Sequence, residues 1–334
     1  MAMRIDVIVP CFNEEPVLPE TARRLSGMLG SLIEARTVAP ESRLLFVDDG
    51  STDGTWSLIR ALADRDARIG GIKLSRNRGH QVALLAGLHA SRADAAISID
   101  ADLQDDIGVV PEMLEHCRAG CDVVYGVRRD RDSDSRFKRL TAGAFYRLLR
   151  FLGVDLVEQH ADFRLLSRRA LDCLAEYREA NLFLRGLIPQ LGFRYARVYY
   201  DRVPRLAGET KYPLRRMLGL ALDGVTSFSA APLRLAAALG ALTFVGSIVM
   251  SGWVLWIRLV ADSAVPGWAS TVIPMYFLGG IQLLCLGVVG EYLARVFMEV
   301  KQRPRYFIEA TVGSNPALLQ GPVPGSEAPE HSDP

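Results

Sequence analysis

Between Leu235 and Ile257 the chain carries no charged side chain, and between Thr271 and Gly290 it again carries none. About 20 predominantly apolar residues suffice to cross the hydrocarbon core of a bilayer as a helix. Backbone groups in lipid must be satisfied internally, so two such stretches in close succession are expected to form a helical hairpin. The connecting segment, Leu259 to Ser270, holds Asp262 and Pro266, and Trp253, Trp256 and Trp268 gather towards it as interfacial aromatics do. Arg215, Arg216 and Arg234 precede the first stretch and Arg295, Lys301, Arg303 and Arg305 follow the second, with Arg258 at the loop end. The positive-inside rule then predicts both termini, and everything before the hairpin, in the cytosol of a multi-pass cytoplasmic-membrane protein. Met1 to Asp6 leads straight into a strand-like run, so no signal peptide is expected.

The mean hydropathy of +0.14 is therefore concentrated in one part of the chain. The formal net charge is +1, which gives no reason to expect a nucleic-acid partner. Cys11, Cys117, Cys121, Cys173 and Cys285 show no CxxC or zinc spacing and read as reduced, packed thiols.

Ahead of the apolar region, short strand-like runs alternate with helical patterns. Asp6 to Val9, Leu44 to Val47, Ile69 to Leu74, Ala95 to Ile99 and Cys121 to Tyr125 are apolar and short. Leu18, Leu25, Leu29 and Leu32, then Thr55 to Ala63 and Gln81 to Ser91, supply the helices between them. This alternation predicts βαβ units and a mostly parallel sheet. Ligands of such sheets bind outside the carboxyl ends of the strands. Here those ends are polar in a particular way. The first strand ends in Asn13 and Glu14, the second in Asp48 and Asp49, and the fourth in Asp100-Ala101-Asp102-Leu103-Gln104-Asp105-Asp106. Carboxylates at the first two ends suit hydroxyl and amide donors. Asp100 and Asp102, two apart on an extended segment, can converge on a hard cation that carries phosphates. The plain alternative is an acidic loop capping the helix that starts near Gly108. No GxGxxG follows the first strand and no GxxxxGK[ST] occurs, so a metal would have to neutralise a bound diphosphate.

Six stretches resemble, in order and at fitting spacings, the family 2 inverting glycosyltransferases of the GT-A type. They are similar above all to the polyisoprenyl-phosphate glycosyltransferases. The stretches are Val9 to Glu15, Val47 to Gly54, Arg76 to Gln81, Asp100 to Asp105, Asp162 to Arg168 and Arg205 to Tyr212. The resemblance covers roughly residues 4–308. One departure is Asp106-Ile107, where the family often has prolines.

The resemblance implies roles. Pro10, Asn13, Glu14 and Asp49 would line the base and ribose of a nucleotide, and Asp100 would lie near the ribose or the donor sugar. Asp102 and Gln104 would hold Mg²⁺ or Mn²⁺, with Asp102 and Asp162 as catalytic residues. Asp162 could act as a base, orient the sugar or Arg164, or simply pair with Arg164. His80 could belong to the site or cap the helix that follows. The basic run from Gly126 to Arg150 offers Arg128 and Arg139 as ligands of an acceptor phosphate, and Arg205 and Lys211 would join them. Asp49 could instead only initiate a turn, and Lys211 could pair with Glu209.

The expected organisation is a cytosolic GT-A domain over 1–212 and an amphipathic juxtamembrane helix over 213–232. Two transmembrane helices within 233–292 (about 235–257 and 271–290) follow, then a basic cytosolic segment over 293–312 and a disordered tail over 313–334. The expected reaction moves a sugar from a nucleotide-diphosphate donor, UDP-glucose first, to polyisoprenyl phosphate such as undecaprenyl phosphate at the cytosolic face. UDP-N-acetylhexosamine and GDP-mannose are the alternative donors. A non-catalytic nucleotide-binding membrane scaffold is the alternative of another class. Membrane lipids are expected partners, and the sequence leaves a homo-oligomer open.

Overall fold

Among the described residues eight strands form one sheet in the order β7-β5-β6-β4-β1-β2-β3-β8. The structure, a computed structural model, describes residues 2–129, 160–177, 179, 184–201, 231–260 and 268–313. The strands are β1 Ile5–Cys11, β2 Arg43–Asp48, β3 Ile69–Leu74, β4 Ala95–Ser98, β5 Val123–Arg128, β6 His160–Ser167, β7 Tyr195–Tyr200 and β8 Ile308–Val312. The helices are α1 Leu18–Glu34, α2 Thr55–Arg65, α3 His80–Ala90, α4 Val110–Arg118, α5 Arg168–Glu176, α6 Leu184–Gln190, α7 Ala231–Val260 and α8 Trp268–Val300.

The central strands are buried on both faces, and their side chains divide with period two. Val7 and Val9 of β1 and Leu44 and Phe46 of β2 enter a core beneath α1, α2 and α4. Ile8, Leu45 and Val47 enter a second core that holds α3, α5 and α6. The chain steps from β1 to β2 to β3 with α1 and α2 on one face. It then crosses back to β4 on the far side of β1 through α3 on the other face. Right-handed crossovers demand that change of face when the direction of winding reverses. The reversal opens a crevice between the ends of β1 and β4, where such sheets place their ligands.

Pro10 sits in β1, an unusual place for a residue that cannot donate to the ladder. The Ile8 carbonyl accepts from Ile99 N on the β4 side at 3.1 Å. By alternation the missing Pro10 donor faces the same way, just past Ser98, where β4 ends. The proline therefore costs no ladder bond and helps to open the crevice.

Three features differ from the sequence reading. β6 is a strand, inserted antiparallel between β4 and β5, so β4 and β5 are not parallel neighbours. β5 runs from Val123 to Arg128 rather than Cys121 to Tyr125, because β7 pairs with it from Val123↔Tyr195 to Arg128↔Tyr200. Ile308–Val312, expected within a basic cytosolic segment, is an edge strand antiparallel to β3. The described chain divides into two compact units: the first holds β1 to β8 and α1 to α6, the second α7 and α8, and the chain passes from the second back to the first at 302/303.

In the second unit α7 and α8 pack together, and the Cys285 thiol meets the Ala236 carbonyl at 3.4 Å. Leu242, Trp256, Leu283 and Leu286 point outward, exposed. Both predicted apolar stretches lie inside these helices. Among the described residues one segment, Phe277–Val300, is long and apolar enough to cross a membrane, and Ala236–Gly246 is a shorter apolar helical stretch. The expected amphipathic helix lies, apart from its last residues, outside the described residues, as does the expected tail after Gly313.

Candidate active site

Four strand ends build the crevice. At the end of β1, Asn13 takes the left-handed backbone conformation (φ 55°), which Asn tolerates better than most residues. Its N–H donates to Ser51 Oγ at 2.9 Å, and its Oδ1 accepts from Thr52 N at 2.9 Å. Glu14 N donates to Thr55 Oγ1 at 3.0 Å. The loop after β1 is thus stitched to the turn after β2.

Asp49 carries the stitching on to β3. Its two carboxylate oxygens accept from Arg78 N at 2.7 Å and Gly79 N at 2.8 Å. Burial raises its pKa against these two bonds. Asp49 is therefore more than a turn initiator: it fixes the loop leading to His80. Gly50 (φ 68°) lies where this loop passes, and a Cβ there would meet backbone atoms of Arg76 and Asn77 at 2.6–2.8 Å. Only glycine meets both demands.

At the end of β4, Ile99 and Ala101 enter the core while Asp100 and Asp102 alternate with them. Thr21 Oγ1 holds the Ala101 carbonyl at 2.7 Å. Asp102 Oδ1 accepts from Gln104 N at 3.2 Å, and Leu103 between them has φ 55°, a strained conformation for a buried leucine. Such strain, about 1–3 kcal/mol, collects at functional sites. Asp105 accepts from Arg128 Nη2 at 2.9 Å and from the Tyr200 hydroxyl, tying the ends of β5 and β7 to this loop.

β6 supplies what the linear motif concealed. Asp162 and Arg164 lie on one face of the strand, with Phe163 and Leu165 on the other face in the core. The Ser98 hydroxyl donates to the Asp162 carbonyl, holding β6 against the end of β4. Asp162 pairs with the fully buried Arg164. It also accepts from Arg185 Nε at 3.2 Å and Nη2 at 3.0 Å, and from Gln81 Nε2 at 3.3 Å. His80 Nε2 stands 3.4 Å from Asp162 Oδ2 and 3.5 Å from Asp100 Oδ1. His80 is therefore a bridge between two carboxylates; Gly79 occupies the helix cap.

The two aspartates titrate apart. Burial raises Asp100 to about 6; His80 opposes this, and Asp105, Asp162 and Asp102 reinforce it. Burial would raise Asp162 as well, but His80, Arg164 and Arg185 hold it far below the usual carboxylate range.

Two places could be considered for a cation. The ligating atoms of His80, Asp100 and Asp162 lie within 4.8 Å of one another. Asp162 is already committed to two guanidinium groups there, which repel a metal ion. The loop after β4 suits one better. It carries four carboxylates against one guanidinium, that of Arg128; Asp105 Oδ2 is a buried oxygen without a hydrogen-bond donor, and Asp100 Oδ1 has only His80 nearby, at 3.5 Å. Hard divalent cations prefer such a set.

Of the residues singled out from sequence, Pro10, Asn13, Glu14, Asp49, Asp100, Asp102, Gln104 and Asp162 come from the ends of β1, β2, β4 and β6 around this crevice. Arg128 stands at the end of β5, anchored on Asp105. Arg139, Arg205 and Lys211 lie outside the described residues. Sequence reasoning missed Arg185 and Tyr200, whose neighbours form no motif.

Residues 6–175 match the family described as Glycosyl transferase family 2. The chain is 50% identical over 307 residues to the protein named uncharacterized glycosyltransferase YkoT of Bacillus subtilis, covering 91% of each. It is 38% identical over 316 residues to the SfII prophage-derived bactoprenol glucosyl transferase of Shigella flexneri, covering 94% of this chain and all of that one. Among solved structures, glucosyl-3-phosphoglycerate synthase of Mycobacterium tuberculosis, in complex with Mn²⁺, UDP and phosphoglyceric acid, aligns at TM-score 0.45 and 19% identity. That alignment covers 67% of this chain and 76% of the other.

Proposed function

The chain belongs to glycosyl transferase family 2, and on that premise we propose that it moves glucose from UDP-glucose to undecaprenyl phosphate at the cytosolic membrane face. The likeness to bactoprenol glucosyl transferases over nearly the whole length supports the acceptor class. The observation that carries the reading is the cluster at the β1/β4 reversal. Polar loops from β1 and β2 suit a base and ribose, an acidic loop after β4 suits a metal, and a cationic network sits on β6 and α6.

Pro10, Asn13, Glu14 and Asp49 line the nucleotide, and Asp100 meets the ribose or the sugar. Asp102 and Gln104, on the same loop as the buried oxygens of Asp100 and Asp105, would hold Mg²⁺ or Mn²⁺, which would neutralise the diphosphate leaving group. Arg128, Arg139, Arg205 and Lys211 take the acceptor phosphate. A phosphate monoester is already anionic at neutral pH, its second pKa being about 6. It attacks the anomeric carbon opposite the leaving diphosphate, and the configuration inverts. The protein's task is then positioning and charge stabilisation. A general base works best with a pKa near the operating pH. Asp162, held deprotonated by its cationic neighbours, does not meet that condition, and we assign it to positioning.

Chain geometry supports a two-helix membrane anchor. Lys73 of β3 and Ala310 of β8 are paired in one sheet, so the chain between them crosses a bilayer an even number of times. With Phe277–Val300 as one crossing, α7 supplies the other as a two-helix hairpin. The flanking arginines and lysines put the catalytic unit and both termini in the cytosol.

The test is transfer by purified full-length protein in detergent, with labelled UDP-glucose, UDP-N-acetylglucosamine and GDP-mannose each offered with undecaprenyl phosphate. Label in extracted lipid from UDP-glucose is expected. Lipid labelled from another donor overturns the sugar assignment, and no labelled lipid from any donor overturns the reaction.

A further inference from the structure

Three guanidinium groups converge near the ends of β4, β5 and β6, and their surroundings differ. Arg164 is sealed in the interior against Asp162, with 1% of its side chain exposed. Arg128 gives Nη2 to Asp105 and Nε to Tyr200. Arg185 is 43% exposed, yet its fork is fixed: Nε and Nη2 reach opposite oxygens of Asp162. Its backbone is equally fixed, because Leu184, Leu187 and Ile188 of the same helix are fully buried.

A guanidinium offers five N–H donors in a planar fork. The Asp162 carboxylate engages one edge of Arg185, and among the described residues nothing else bonds to the other. The Arg164–Asp162–Arg185 chain carries two positive charges against one negative, and Arg185 is its solvent-facing end. Gln81 and His80 hold Asp162 from the α3 side, so the anchor is itself anchored. A carboxylate so well supplied with donors has little left to offer a substrate, and the cation it immobilises has more.

We propose that Arg185 is a phosphate-binding residue of this site and that Asp162 is the positioning residue that aims it. The inference rests on the glycosyltransferase reading above, which brings two phosphate sources to the crevice, the acceptor monophosphate and the donor's diphosphate. The shared chemistry is an anionic phosphate oxygen met by the outer guanidinium edge, for which arginine is better shaped than lysine.

The test measures binding by calorimetry on the full chain in detergent, with UDP and farnesyl phosphate as separate probes. Arg185→Lys keeps the charge and loses the fork; Arg185→Gln loses both. Each is expected to weaken one probe roughly ten- to a hundredfold, the size of a lost charge-assisted bond. The other probe should stay within about twofold. Loss of farnesyl phosphate binding identifies the acceptor phosphate, and loss of UDP binding the donor diphosphate. Asp162→Asn should weaken the same probe, because Arg185 loses its aim. Thermal melting of the Arg185 variants should stay close to wild type, since the side chain is half-exposed. Unchanged affinity for both probes, or equal weakening of both, overturns the inference. Wild-type protein that binds neither probe and transfers no sugar overturns instead the functional reading on which it rests.

Discussion

Gly87 and Gly27 receive the same substitution in two helices with opposite expected outcomes. Gly87 lies in α3, where a Cβ would come within 2.3 Å of Ile8 Cγ2 and 2.9 Å of Val47 Cγ2. Carbon atoms in good contact stand about 3.5–4.0 Å apart, so the overlap exceeds about 1 Å. Ile8 and Val47 belong to the central strands β1 and β2, and their β-branched side chains have little rotamer freedom to yield. The helix must lift. Overpacking of this kind costs about 1–3 kcal/mol, against about 0.8–1.0 kcal/mol gained from replacing a helical glycine with alanine. Two clashes favour the upper part of that range, so Gly87→Ala should destabilise by about 1–2 kcal/mol. Gly27 in α1 has nothing within 4 Å of its Cβ position, so Gly27→Ala should stabilise by up to about 1 kcal/mol. In a domain of this size each kcal/mol moves the melting temperature by about 2–4 °C. Differential scanning fluorimetry should show Gly87→Ala melting below wild type and Gly27→Ala above it. His80 begins α3, so lifting the helix also displaces its imidazole from Asp100 and Asp162. Sugar transfer by Gly87→Ala should fall several-fold while Gly27→Ala keeps wild-type rates. Melting shifts of the same sign in both variants would refute the close-approach argument.

Sugar transfer should vanish in excess chelator and return with Mn²⁺ or Mg²⁺, and Asp102→Asn should lose most activity while melting as wild type does; full activity in chelator would exclude the metal. The depressed pKa of Asp162 contributes stability that is complete above the unfolded-state value near 3.9 and is lost as pH falls below it, by up to about 1.4 kcal/mol per pH unit. Urea unfolding between pH 4 and 3 should therefore show a shallower decline in Asp162→Asn than in wild type, and parallel declines would deny the native pairing. Single cysteines at Ser263 and Ser326, in a background without native cysteines, should react with impermeant maleimide from opposite sides of the membrane. Labelling from one side would remove the hairpin.

The first four strands were legible because each is a short apolar run that stops at polar turn chemistry, and their carboxyl ends drew attention to Asn13, Asp49, Asp100 and Asp102. β6 was not, because Asp162 and Arg164 break its apolar character. Once Phe163 and Leu165 are seen to face one core, the period of two is plain, but it needs the neighbouring strands to be recognised. Arg185 had no local signal at all: it belongs to the site only because β6 lies between β4 and β5 and brings Asp162 within reach. β8 was obscured for another reason. Ile308 to Val312 follows a long apolar helix and an Arg/Lys-rich turn, and its partner, β3, lies far away in sequence.

That distance has a consequence for how the protein is made. Ile308 pairs with Leu74, and Ser75 N donates to the Phe307 carbonyl at 2.9 Å directly ahead of the Arg76 to His80 loop. The last strand of the sheet is thus synthesised only after α7 and α8. At about 5–20 residues per second, β3 waits on the order of 10–50 s with an open edge before its neighbour emerges. An unpaired edge is a template for wrong pairings. The catalytic unit therefore cannot complete its sheet until both long apolar helices, α7 and α8, have been made.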